Sequence, residues 1–273
     1  MAWPAALPGD MRCASVREDE TEALRCDRER PTMTPEHRLG ILLPDDGPED
    51  YEWYDLAART DEGLPAIAVG GVASDGHHAP AALMALGAPE RLEPVGRQLV
   101  DEGAEALVWA CTSASFIGGL AWARDQAASL ERALGVPVTS TALAFLEALD
   151  AMGHWRVDLL SPYPDDVTLR LVSFLREGGV SVREAKALDC PYATDSHAAD
   201  ILDELRRFCA DHPSVSIPLL VPDTAVNSLS LLDAMRREAR RPVLTANQVT
   251  LWAGVRRLPD MASSSLGQDE MAD

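Results

Sequence analysis

No apolar run in the 273 residues approaches the roughly 20 that a membrane-spanning helix needs, and no signal peptide is legible at the start. Basic residues are scarce: 24 Lys and Arg stand against 44 Asp and Glu, a formal net charge of −20. Nucleic acid and anionic membranes call for clustered cations, so neither is an expected partner. A small anionic ligand remains compatible, because a few local donors dominate a small site. The five cysteines (Cys13, Cys26, Cys111, Cys190 and Cys209) lack paired metal spacing and read as reduced thiols of a cytoplasmic protein. His77 and His78 follow Asp75, but no third ligand comes at helical spacing. The pair therefore reads as a solvated loop, and neither a metal nor another cofactor is expected.

What is present is an alternation of short apolar runs with amphipathic stretches. Residues 1–36 stand apart: 11–30 are dense in charge without periodicity and read as a disordered extension. Residues 259–273 read as a disordered, Ser-rich tail. Between them, strands are expected at 39–43, 64–72, 106–110, 137–139, 156–160, 180–188, 216–221 and 242–245. Helices are expected at 92–103, 116–135, 141–153, 196–210 and 226–239, with one opened by Asp165 and Asp166 and a last one ending near 257. Such alternation implies an α/β fold with parallel sheets and helices on both faces. The runs at 39–43, 106–110 and 216–221 are apolar throughout, as in strands buried on both sides.

One stretch organises the chain. The run 106–110 stops at Cys111, and Thr112, Ser113, Ser115, Gly118 and Gly119 follow before helical periodicity resumes. Cys111 should thus sit at the carboxyl end of a strand, facing a helix N-terminus, where ligands of open α/β sheets bind. Backbone N–H groups and the helix dipole there favour thiolate and a bound carboxylate, which predicts a depressed Cys111 pKa. The alternative is a buried structural cysteine.

A second copy of the plan follows. Residues 214–227 run from an apolar strand into Asp223 and Thr224, and the Pro-Val strand at 137–138 is echoed at 242–243. Internal repetition implies two similar Rossmann-like lobes. Lobe 1 is expected at 37–140 and lobe 2 at 141–245, with helix 246–258 packing back on lobe 1. Cys111 and Asp223 would then face each other across the cleft between the lobes, which is the expected active site. Asp223 is either an acid/base group with a raised pKa or a helix N-cap. Cys190 reads as structural.

Four blocks carry a resemblance. They are Arg38-Leu-Gly-Ile-Leu-Leu-Pro44, Ala110-Cys-Thr-Ser-Ala-Ser-Phe116, Leu159-Leu-Ser-Pro-Tyr163 and Pro242-Val-Leu-Thr-Ala-Asn-Gln-Val-Thr-Leu-Trp252. In this order over residues 37–258 the chain resembles the aspartate/glutamate racemase superfamily, in the branch of maleate cis-trans isomerase and arylmalonate decarboxylase. The resemblance implies a cofactor-independent isomerase or racemase acting on a small carboxylic or dicarboxylic acid. Malonate-type decarboxylation and a non-catalytic carboxylate-binding relic are the alternatives. It also implies substrate contact by Tyr163. Thr112, Ser113 and Thr224 are candidate carboxylate donors, Asn247 a candidate to orient a cleft residue, and Asp45 a candidate cleft residue after the first strand. Members of the superfamily carry two cysteines, one per lobe; here Asp223 stands at the second. A homo-oligomer is compatible with all of this.

Overall fold

The computed structural model describes residues 37–46, 48–58 and 64–259; the two expected disordered segments lie outside these, save residue 259. The first half runs β1 (Arg38–Asp45), α1 (Glu52–Ala58), β2 (Ala66–Ala73), α2 (Pro80–Leu86), α3 (Pro89–Asp101), β3 (Ala106–Trp109), α4 (Thr112–Phe116), α5 (Gly119–Leu134) and β4 (Val138–Ser140). The second runs α6 (Thr141–Ala151), β5 (Arg156–Ser161), α7 (Asp165–Glu177), β6 (Ser181–Ala187), α8 (Ala193–Ala198), α9 (Ile201–Asp211), β7 (Leu219–Val221), α10 (Leu232–Ala239), β8 (Val243–Thr245) and α11 (Ala246–Val255).

Two four-stranded parallel sheets result, with the orders β2-β1-β3-β4 and β6-β5-β7-β8. The orders are the same once the second is renumbered, so the repeat legible in the sequence is a repeat of topology. The apolar strands occupy the sheet interiors: every residue of β3 and β7 is buried. Because all strands are parallel, the carboxyl ends of β1, β2 and β3 lie at one edge of the first sheet, which brings the loops after Pro44, Ala73 and Ala110 together. One core runs through both halves. It holds Leu107 and Trp109 of the first sheet with Leu159 and Leu220 of the second, joined through Phe145 and Phe174. The last helix, α11, lies on the first sheet. A Cβ at Gly254 would fall 2.7 Å from Leu39 Cδ2 and 2.8 Å from Val108 Cγ2, so glycine permits that approach.

The sequence reading departs from the structure in three helices. The helix expected at 116–135 starts at Gly119 as α5, and the φ of +86° at Gly119 separates it from the five-residue α4 before it. The helix expected at 196–210 is two, α8 and α9, with the Asp200 side chain capping the second through the Asp203 N–H at 3.0 Å. The helix expected at 226–239 begins only at Leu232. Residues 224–229 instead form a turn, held from outside by Glu52, whose carboxylate accepts from the N–H groups of Ser228 (3.0 Å) and Leu229 (2.9 Å). Helices α1 and α2 were not foreseen.

Candidate active site

The buried strand β3 delivers Cys111, and α4 starts at the next residue, so Cys111 caps that helix as the sequence implied. The thiol is 6% exposed, and its Sγ lies 3.7 Å from Ser113 Oγ. The equivalent strand β7 delivers Asp223. No helix follows it, so the N-cap alternative falls. Asp223 has φ +94°, a left-handed conformation uncommon for a residue with a side chain. Its Oδ1 accepts from the Ala225 N–H at 3.1 Å, while its Oδ2, fully buried, has no hydrogen-bond partner. The two strand ends are tied together: the Asp223 N–H donates to Thr112 Oγ1 at 3.3 Å, and Thr224 Oγ1 donates to the Ala110 carbonyl at 2.9 Å. Cys111, Ser113, Asp223, Thr224, Asp46 and His78 line one cavity of about 500 Å³.

Four expected site residues lie off the cavity lining. Asp45 is exposed, and its neighbour Asp46 turns into the cavity, accepting from the Tyr51 hydroxyl at 2.8 Å. The error is one residue of phase at a strand end, where successive side chains point to opposite faces. Tyr163 is fully buried, packed edge-on against His78 and Phe116 with ring centroids 4.9 and 5.8 Å apart. It stands behind the cavity wall, its hydroxyl without a hydrogen-bond partner. Asn247 is also fully buried. Its amide donates to Glu52 and to the carbonyls of Thr224 (3.3 Å) and Val226 (3.1 Å), so it holds the turn that follows Asp223. Thr112 serves as the tie to Asp223 and is no part of the lining.

His78 was read as part of a solvated loop, and the structure overturns that. It is 5% exposed. Its backbone N–H donates to the Pro191 carbonyl (2.8 Å), and its Nδ1 lies 2.9 Å from the Cys190 carbonyl. Its Nε2 comes within 3.8 Å of Asp223 Oδ2. The available signal was topological: β2 ends at the same sheet edge as β3, so the loop after it borders the cleft. Among the described residues no group of three or more His, Cys, Asp or Glu is arranged to hold a metal, and no helix is long and apolar enough to cross a membrane.

A sequence model of the arylmalonate decarboxylase family matches residues 87–269. The chain belongs to the arylmalonate decarboxylase family. Arylmalonate decarboxylase of Bordetella bronchiseptica is 29% identical over 184 residues, covering 65% of this chain and 75% of that protein. Maleate isomerase of Pseudomonas putida is 28% identical over 175 residues, covering 59% and 67%. The structure of a liganded arylmalonate decarboxylase mutant superposes with a TM-score of 0.70 at 26% identity, covering 81% of this chain and 92% of the other.

The electrostatics of this member of the arylmalonate decarboxylase family reverse one expectation. Burial pushes the Cys111 thiol up to about 12. The Ala114 N–H and Ser113 oppose this, and the charges of Asp223 and Asp46 add to it. One turn of helix is outweighed by desolvation beside two carboxylates. Burial likewise raises Asp223, with His78 opposing. Asp46 is raised by burial despite its bond from Tyr51. The cavity also carries a cation: Arg91 lines it while donating to the Ala73 carbonyl at 2.6 Å.

Proposed function

We propose that this chain is a cofactor-independent isomerase or racemase of a small carboxylic acid, with Cys111 and Asp223 as its proton-transfer pair. The observation that carries the reading is that equivalent strand ends of the two sheets deliver a thiol and a carboxylate to one small cavity. Proton transfer at a carbon next to a carboxylate needs a base on one side and an acid on the other. A carboxylate with a raised pKa is the stronger base, and a thiol held protonated is a ready acid.

In this mechanism the substrate carboxylate binds near Ser113 and the Arg91 guanidinium, which offset its charge. Asp223 removes the proton from the adjacent carbon, and the electron pair moves into the carboxylate as an enediolate. The Cys111 S–H then gives its proton to the opposite face of that carbon. Asp223 ends as the acid and Cys111 as the thiolate, a state competent for the reverse reaction on the product. Addition of a Cys111 thiolate to a double bond, the other route to isomerisation, is less favoured by a thiol held near 12.

A second reading is decarboxylation, favoured by the same protonated thiol. The carbon–carbon bond to one carboxylate breaks, carbon dioxide leaves, and Cys111 protonates the enediolate that remains. The relatives named for maleate and arylmalonate chemistry support both classes. The test is incubation in deuterated water with maleate, both enantiomers of aspartate, and phenylmalonate, read by mass and chiral chromatography with carbon dioxide capture. The expected result is deuterium at the carbon next to a carboxylate, without carbon dioxide, in a 2-substituted acid. Stoichiometric carbon dioxide from phenylmalonate would establish the second reading. No exchange with any probe would remove the first.

A further inference from the structure

We propose that His78 is the proton relay of Asp223, passing to cavity water the proton that Asp223 has gained and so resetting the pair; this rests on the reading of Asp223 as the base. The Cys190 carbonyl at 2.9 Å can only accept, so His78 Nδ1 carries the hydrogen of that bond. In a neutral ring Nε2 is then bare, and it faces Asp223 Oδ2 at 3.8 Å. Oδ2 is the oxygen without a hydrogen-bond partner, Oδ1 being held by the Ala225 N–H. Two bare acceptors facing each other in a buried site are repulsive, and one proton between them removes the penalty. The separation is an ion-pair distance, of the length common for catalytic contacts in empty sites.

The surroundings hold the ring in this role. Tyr163 packs edge-on against it at 4.9 Å, and the bond from the His78 N–H to Pro191 fixes the loop. The other histidine whose charge bears on Asp223 is His197. Both of its nitrogens are engaged, Nδ1 with the Ala225 carbonyl at 2.9 Å and Nε2 with Asp50 at 3.0 Å. Asp46, Tyr51, Cys111, Tyr163 and Cys190 are the other titratable groups coupled to Asp223. His78 itself lines the cavity, the side from which water would reach the pair.

In the proposed cycle the pair starts with one proton, held on His78 Nε2 toward Asp223 Oδ2. Asp223 accepts the substrate proton and becomes the neutral acid. The imidazolium releases its Nε2 proton to cavity water, and the acid's proton moves onto the vacated nitrogen. One proton enters, one leaves, and water reprotonates the Cys111 thiolate. His78 thus acts through Asp223, as a positioning and relay residue.

The test has a spectroscopic and a kinetic arm, both on the full chain. Long-range proton–nitrogen spectra of the 15N-histidine-labelled protein, assigned with His78→Asn, should show a protonated Nδ1 at His78. The Nε2 resonance should move in Asp223→Asn. An Nε2–H tautomer with bare Nδ1, or a resonance indifferent to Asp223→Asn, would overturn the proposal without touching the reading of Asp223. The kinetic arm uses whichever of maleate, aspartate or phenylmalonate turns over. His78→Asn keeps an N–H near the Cys190 carbonyl, and His78→Gln keeps an amide near Asp223, yet neither can take up and release a proton. Both should lower kcat about tenfold to a hundredfold with the fold intact. Deuterium entering recovered substrate from solvent should fall further than turnover does, because the trapped proton returns to its own carbon. Equal loss of washout and turnover would mean a structural role and overturn the relay. If no probe exchanges at all, the base assignment falls and takes the relay with it, even where the spectra show the pair.

Discussion

Asp158 and Asp223 are both buried carboxylates of the second sheet, one toward the amino end of its strands and one just past their carboxyl end. Asp158, on β5, receives the fork of Arg183, with Nε to Oδ1 at 2.8 Å and Nη2 to Oδ2 at 2.5 Å, and a second guanidinium from the fully buried Arg241. Burial pushes its pKa up, but the two guanidiniums outweigh that and hold it below the ordinary range. Asp223 accepts one backbone N–H and faces one imidazole at 3.8 Å; with the Ser196 hydroxyl and the more distant His197 these oppose burial, and burial wins. The same sheet therefore neutralises a carboxylate fully where it supports the fold and leaves one under-neutralised where the cavity is. That contrast marks a site for chemistry.

The signs of the two stability contributions are opposite. Asp158, with a lowered folded pKa, stabilises the fold above the unfolded carboxylate's pKa and loses that as pH falls through the folded value. Asp223, with a raised folded pKa, favours folding below the unfolded pKa, and that contribution is lost as pH rises through the folded value.

Four substitutions break or sharpen the comparison. The largest effect is expected from Cys111→Ala, which removes the proposed acid facing Asp223; turnover of any exchanging probe should fall on the order of a thousandfold with the circular dichroism unchanged. Next, Asp158→Asn leaves two guanidiniums without their counter-charge and should destabilise the fold by about 3–5 kcal/mol in urea denaturation. Asp223→Asn keeps the acceptor for the Ala225 N–H but removes the base. Turnover should drop about a hundredfold, while thermal stability at pH 8 should rise, the gain over wild type shrinking as the pH is lowered. The smallest effect is expected from Tyr163→Phe. It removes a hydroxyl that has no partner and lies behind the wall, so the rate should change only a few-fold at most, with stability unchanged or slightly higher in a melting curve.

Much of this was legible in the sequence because the informative features are local. The strands β1, β3 and β7 declare themselves by uninterrupted apolar runs, and the repeat of strand, polar residue and threonine at 111–112 and 223–224 gives away both the duplication and the two residues proposed as the proton-transfer pair. What was not legible depends on distant partners. Residues 224–229 have an acceptable helical composition, and Glu52, from the other half of the chain, draws the Ser228 and Leu229 N–H groups away from a helix. His78 lies in a polar loop that becomes buried because Pro191 and Cys190 supply carbonyls to it. The Cys111 pKa is the sharpest case. Its own strand end and helix argue for a thiolate, whereas the burial and the two carboxylates that reverse the sign come from tertiary packing.

That reversal is the account's central claim, and it is open to direct measurement without a substrate. Labelling of Cys111 by iodoacetamide, followed by peptide mass mapping in wild type and Asp223→Asn, reports its thiolate fraction as a function of pH. The account predicts slow labelling at pH 7 that rises about tenfold per pH unit through pH 10 without a plateau. The Asp223→Asn protein should label faster at each pH, because one repelling carboxylate is gone. A plateau at or below the ordinary thiol range of about 8.5, or the same profile in the two proteins, would contradict it.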